Sequence, residues 1–157
     1  MKNFGFSLLE MLVAITIFGI VGTTATISLV NFLRSTSKTE VVKEIKQNGD
    51  YALSVMELKI RNAQSVTCDN SQQLTLANPN NTTSILKCDL TNKYILDGTA
   101  QLTSSSLVWL TSCNLACTTS TNGNKSVAIS FTLTQPSTSG QSAESGSQVF
   151  TATVMPR

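Results

Sequence analysis

One carboxylate, Glu10, stands at the head of the run Met11–Leu33, 23 residues without a charge. An ionised carboxylate at the centre of a bilayer costs at least about 2.5–3.5 kcal/mol, and less near the edge, where headgroups and water are within reach. The nearest cations are Lys2 and Arg34, and neither lies within helical reach. A partner must therefore come from outside the segment. The free α-amine of a neighbouring chain, with a reference pKa of about 7.7–8.0, has the right charge at neutral pH. That requires a new amino terminus close to Glu10, and so a cut in the chain.

The other reactive groups are four cysteines, Cys68, Cys88, Cys113 and Cys117, all beyond the apolar run and spaced by 20, 25 and 4 residues. A zinc site is the first alternative, but paired C-x₂-C knuckles are missing. An even count in an oxidising compartment favours disulfides, of which three pairings are possible. Cys68–Cys88 and Cys113–Cys117 are expected, because each closes a local loop; free buried thiols are the remaining alternative. There is no histidine, which removes histidine-based metal sites and His-dependent triads. Asp69, Asp89 and Asp97 are scattered, no Gly-rich phosphate loop is visible, and the Asn/Asp/Gly turns lack EF-hand spacing. No catalytic residue, cofactor or metal is expected, and the chain does not read as an enzyme. A net charge of +2 gives no general basic field for nucleic acid.

The elements that must position these groups follow from composition. Charged residues make up 13% of the chain, against about 25% in soluble domains, and they concentrate between Arg34 and Arg61. The run to Leu33 is long enough to cross a hydrocarbon core of about 30 Å as a helix. A secretory signal peptide is the competing reading, with a cut near Thr23-Thr24-Ala25, but its apolar stretch is usually shorter. Val42, Ile45, Gly49, Ala52, Met56, Ile60 and Ala63 recur every 3 or 4 residues, the mark of an amphipathic helix. Glu57 and Arg61 form an i,i+4 pair in the favourable order. A basic DNA-binding stripe would need more cations and fewer carboxylates.

Beyond Asn62, strand-like runs appear at Leu74–Leu76, Ser84–Leu86, Lys93–Leu96, Leu107–Leu110, Val127–Leu133 and Val149–Val154. Turns are expected at residues 78–81, at Asp97-Gly98 and at residues 122–124. Gln135 to Gln148 reads as a long flexible loop. Trp109 and Phe131 are expected in the core. Alternation of apolar and Ser/Thr positions suits an antiparallel sheet with one wet face, its dry face taking the helix stripe. The fold class is α+β: a long amino-terminal helix packed on a small antiparallel sheet.

Gly5-Phe6-Ser7-Leu8-Leu9-Glu10 with the apolar run behind it resembles the class III signal of type IV pilins and type II secretion pseudopilins. The resemblance covers about the first quarter of the chain and implies a pilin-like lollipop. It implies a leader over residues 1–5 and cleavage between Gly5 and Phe6 by a prepilin peptidase, which also N-methylates Phe6. Glu10 would pair with the terminal amine of an adjacent subunit. The implied organisation is a transmembrane and filament-core helix at 6–33, its amphipathic continuation at 34–64, and a polar β-rich domain at 65–157. Implied partners are the peptidase/methyltransferase, other pilin-like subunits, inner-membrane assembly machinery and membrane lipid. The implied location is the bacterial inner membrane, with the carboxyl-terminal domain outside the cytoplasm, and then a pilus or pseudopilus at the cell surface. Many members bear a proline in mid-helix. Here Gly19, Gly22 and Thr23-Thr24 stand instead, and either loosen the helix or permit close helix approach in lipid. The cations Arg34, Lys38, Lys43 and Lys46 favour the opposite orientation on the positive-inside count, against the leader motif and the cysteines. Outside the family, the alternative is a secreted or membrane-tethered β-rich binding domain, adhesin-like, with an uncut anchor or an ordinary signal peptide.

Overall fold

The computed structural model describes residues 7–119, 125–135 and 146–157. The chain forms two compact units, Met1–Ser37 and Lys38–Arg157. Helix α1 (Leu8–Asn62) supplies most of the first unit and one wall of the second. Lys59 and Arg61 lie in its last turn, where cations oppose the partial negative charge of the free carbonyls.

In the second unit, the chain after α1 folds as an all-antiparallel set of strands. They are β1 (Ser65–Asn70), β2 (Gln73–Ala77), β3 (Thr83–Asp89), β4 (Tyr94–Asp97), β5 (Ala100–Gln101), β6 (Trp109–Thr119), β7 (Lys125–Gln135) and β8 (Gly146–Val154). The α+β class holds, but the single expected sheet is two: β1-β2-β3-β4-β5 and β6-β7-β8, each with neighbours in chain order. The expected turns at residues 78–81 and at Asp97-Gly98 join strands, with Asn81 (φ 57°) and Gly98 (φ 60°) in the left-handed region, which Asn and Gly tolerate best. The turn at 122–124 lies outside the described residues. Of the expected loop Gln135–Gln148, Gln135 ends β7 and Gly146, Ser147 and Gln148 begin β8; the remainder is not among the described residues.

The core lies between the helix stripe and the two sheets. Ile45, Gly49, Ala52, Met56, Ile60 and Ala63 are buried as the periodicity requires, whereas Val42 is exposed and Val41 takes its place against the core. Stepping back four residues from Ile45 lands on 41, so the stripe drifts as a 3.6-residue repeat must. From the five-stranded sheet come Val66, Leu74, Leu76, Leu86 and Ile95; from the three-stranded sheet come Leu110, Leu115, Val127, Ile129, Phe131, Leu133, Phe150 and Val154. The helix sits close because position 49 is glycine: a Cβ there would fall 2.0 Å from Phe150 Cζ. Phe150 in turn stacks on Phe131 with ring centroids 5.2 Å apart. Polar ties fix the helix's rotation. Asn48 Oδ1 accepts from the Ser104 amide (3.2 Å), and Lys59 pairs with Asp97 (2.9 Å).

Trp109 is not a core residue. The register of β6 against β7 shifts between Leu110 and Ser112, so the inward positions change from even to odd numbers, from Leu110 to Leu115. Trp109 lies before the shift, is 37% exposed, and carries Lys93 Nζ 3.4 Å above its ring. This cation–π contact is worth about 0.5–1 kcal/mol at an exposed site. Lys93 holds a positive φ of 65°, and its carbonyl accepts from the Leu110 amide at 2.9 Å.

Candidate functional site

Glu10 sits in the first turn of α1. The reason the helix starts there is Ser7: its hydroxyl accepts from the Glu10 amide at 3.2 Å, and its carbonyl accepts from the same amide at 3.0 Å and from that of Met11 at 3.3 Å. Ser7 is therefore the cap, satisfying a donor the first turn leaves unpaired. The Ser7-x-x-Glu10 spacing before an apolar run is a capping signature legible in the sequence, and the reading above passed over it. The Glu10 side chain is exposed, and among the described residues it has no cationic partner.

Behind it the helix shows an almost unbroken apolar surface. Leu8, Leu9, Ile15, Phe18, Ile20, Phe32 and Leu33 are all more than half exposed. By length and composition this helix can cross a membrane. Its hydroxyls suit such a setting: Thr16 donates to the Val13 carbonyl (2.8 Å), Thr26 to Gly22 (2.8 Å) and Thr36 to Phe32 (3.0 Å). Thr23 and Thr24 likewise donate to carbonyls three and four residues back, leaving little for lipid to desolvate. The helix is uninterrupted through Gly19–Thr24, so these residues do not break it. Gly19 and Gly22 have nothing within 4 Å of where a Cβ would stand, leaving room for a close neighbour.

Gly5 and Phe6 lie outside the described residues. The four cysteines are brought together, but not in the expected pairs. Cys68 bonds Cys117 and Cys88 bonds Cys113, across sequence separations of 49 and 25; no cysteine is free. Cys113–Cys117 fails because both lie in β6, where four residues span about 13 Å. Cys68–Cys88 fails because β2 lies between β1 and β3. The observed bridges tie both β1 and β3 to β6, joining one sheet to the other. The alternation Cys113, Leu115, Cys117 was the available signal that a strand runs through them.

Among the described residues no three His, Cys, Asp or Glu side chains converge as a metal site. The Asp89 carboxyl is held below its ordinary value: the Asn92 amide (2.8 Å) and side-chain nitrogen (2.9 Å) donate to it and keep its pKa low. These bonds shape the β3–β4 turn.

The Glu10 carboxylate, without a cationic partner among the described residues, opens an exposed apolar helix, and comparison with known families bears on this amino terminus. The chain carries a prokaryotic N-terminal methylation motif. The match covers residues 1–26, taking in Gly5, Phe6 and Glu10, and supports the reading of this segment as a class III signal of the type IV pilin and pseudopilin kind. The helix–sheet layout of the second unit is pilin-like. No similar curated protein and no similar solved structure was found.

Proposed function

We propose that this chain is a structural subunit of a type IV pilus or type II secretion pseudopilus. A prepilin peptidase cuts between Gly5 and Phe6, releasing the leader 1–5, and N-methylates Phe6. Residues 6–33 then hold the subunit in the bacterial inner membrane, residues 34–64 continue the helix, and residues 65–157 lie outside the cytoplasm. Assembly machinery extracts the subunit into a helical filament of pilin-like chains.

The observation that carries this reading is the Glu10 carboxylate, exposed and without a cationic partner among the described residues, on an apolar helix within the methylation motif. A carboxylate moved into a dry helix bundle must be neutralised, since desolvation exceeds what an unpaired charge recovers. The amine of an adjacent processed chain does that, and makes incorporation selective for correctly cut subunits. Cohesion comes from burying apolar helix surface against like surfaces, with Gly19 and Gly22 permitting close approach.

Glu10→Val tests it. Processing and membrane insertion should persist, because the apolar run is lengthened, while incorporation into sheared filaments should fall at least tenfold. Incorporation at the level of the unmodified chain would remove the role assigned to Glu10.

A further inference from the structure

The cross-links carry a consequence for biogenesis. In chain order the cysteines are 68, 88, 113 and 117, and the bridges join first to fourth and second to third. Oxidation in order of emergence would instead join first to second and third to fourth. Contact statistics in the unfolded chain favour the same wrong outcome. Closure probability falls roughly as the −3/2 power of loop length. Joining Cys68 to Cys88 over 20 residues is therefore favoured about fourfold over joining it to Cys117 over 49 on that scaling. Cys113 and Cys117, 4 residues apart, meet more readily still.

The folded sheets cannot accept these early bonds. Cys68 registers with Leu74 on β2, and Leu74 with Leu86 on β3. Cys68 thus stands two strand spacings, about 9–10 Å, from β3, and Cys88 is two residues further along. A bridge needs Cα atoms within about 7 Å. Cys113 and Cys117, on one strand, are separated by about 13 Å. Once made, either consecutive bridge blocks β-sheet formation and has to be opened.

We propose that this chain is a client of a thiol–disulfide isomerase: its native bridges are reached by reshuffling consecutive ones, so a dithiol enzyme acts on it before folding completes. Initial oxidation of four thiols releases four electrons and four protons to a disulfide oxidant, which is reduced to dithiols. Three exchanges then complete the path. The enzyme thiolate attacks Cys88 in the Cys68–Cys88 bond, forming a mixed disulfide and freeing the Cys68 thiolate. Cys68 attacks Cys117, forming Cys68–Cys117 and freeing Cys113. Cys113 attacks Cys88 in the mixed disulfide, forming Cys88–Cys113 and returning the enzyme thiolate. No net oxidant is consumed in the reshuffling. None of this depends on filament assembly.

The test uses the full chain, reduced in detergent and oxidised with diamide, with and without a catalytic amount of reduced disulfide isomerase. Samples are alkylated over time and their bridges mapped by peptide mass spectrometry. Without the isomerase, Cys113–Cys117 and Cys68–Cys88 should dominate early and persist. With it, conversion to Cys68–Cys117 and Cys88–Cys113 should be at least fivefold faster. Nested bridges from the outset, or an acceleration below fivefold, would overturn the proposal, as would consecutive bridges in the final product. A chain carrying Cys88→Ser and Cys113→Ser has no competitor for Cys68–Cys117 and should form that bridge at a rate the isomerase does not change. Dependence on the isomerase there would equally count against reshuffling.

Discussion

Replacing Gly49 by alanine sets two effects of opposite sign against each other. Alanine in a helix interior is favoured over glycine by about 0.8–1 kcal/mol, so an open site would be stabilised. Position 49 is not open: the added Cβ would stand 2.0–2.4 Å from three atoms of the Phe150 ring. That is deep overlap with the body of a ring, and the ring cannot swing away freely because Phe131 stacks on it. Overpacking of this kind costs about 1–3 kcal/mol, and the depth of overlap places this case at the upper end. The net expectation is a loss of about 2 kcal/mol. Urea unfolding of the full chain in detergent, followed by Trp109 fluorescence, gives the value. Phe150→Leu supplies the control, because a smaller side chain removes the ring atoms that clash. In that background Gly49→Ala should be neutral or stabilising, giving a coupling energy above about 1 kcal/mol. A stabilising Gly49→Ala in the parent chain, or the same effect in both backgrounds, would refute the close approach of α1 to β8.

Breaking the longer cross-link with Cys68→Ser and Cys117→Ser should cost up to about 4 kcal/mol by loop-closure entropy, read as a lower urea midpoint. Changing Asn92 to alanine removes the side-chain donor to Asp89 and leaves the backbone amide, the larger cause, in place, so the Asp89 pKa should rise only part of the way towards its ordinary value in a carboxyl-detected NMR titration. The sign for stability follows. A depressed folded pKa contributes above the unfolded value and is lost as pH falls through the folded one, so the variant should lose part of its acid sensitivity in that window. Removing Glu10's charge with valine, as above, should spare processing and lower incorporation into sheared filaments at least tenfold.

Much of this molecule was legible in its residues. The helix stripe from Ile45 to Ala63 and the alternation from Val127 to Leu133 each state a period and a buried face, and both faces are buried as stated. The amino-terminal motif was legible because a charge in an apolar run needs a partner. What stayed hidden depended on register. One shift at Thr111 turns Trp109 outward, and no composition records it. β1 (Ser65–Asn70) was missed because only Val66 and Cys68 in it are apolar, so its alternation is too short to detect. The disulfide pairing was misjudged by weighing loop length alone: proximity along the chain governs which bond forms first, whereas strand register governs which bond the fold retains. That a second sheet forms follows from β6 being tied to β1 and β3 by disulfides and pairing along its length only with β7.

The central claim is that Glu10 is tolerated because a processed neighbouring terminus satisfies it, and the chemical state of the amino terminus addresses it most directly. Intact and peptide mass spectrometry of protein purified from bacterial membranes should find Met1–Gly5 removed and the first residue as N-methyl-Phe6. A chain still beginning at Met1, or one cut near Ala25, would contradict the account.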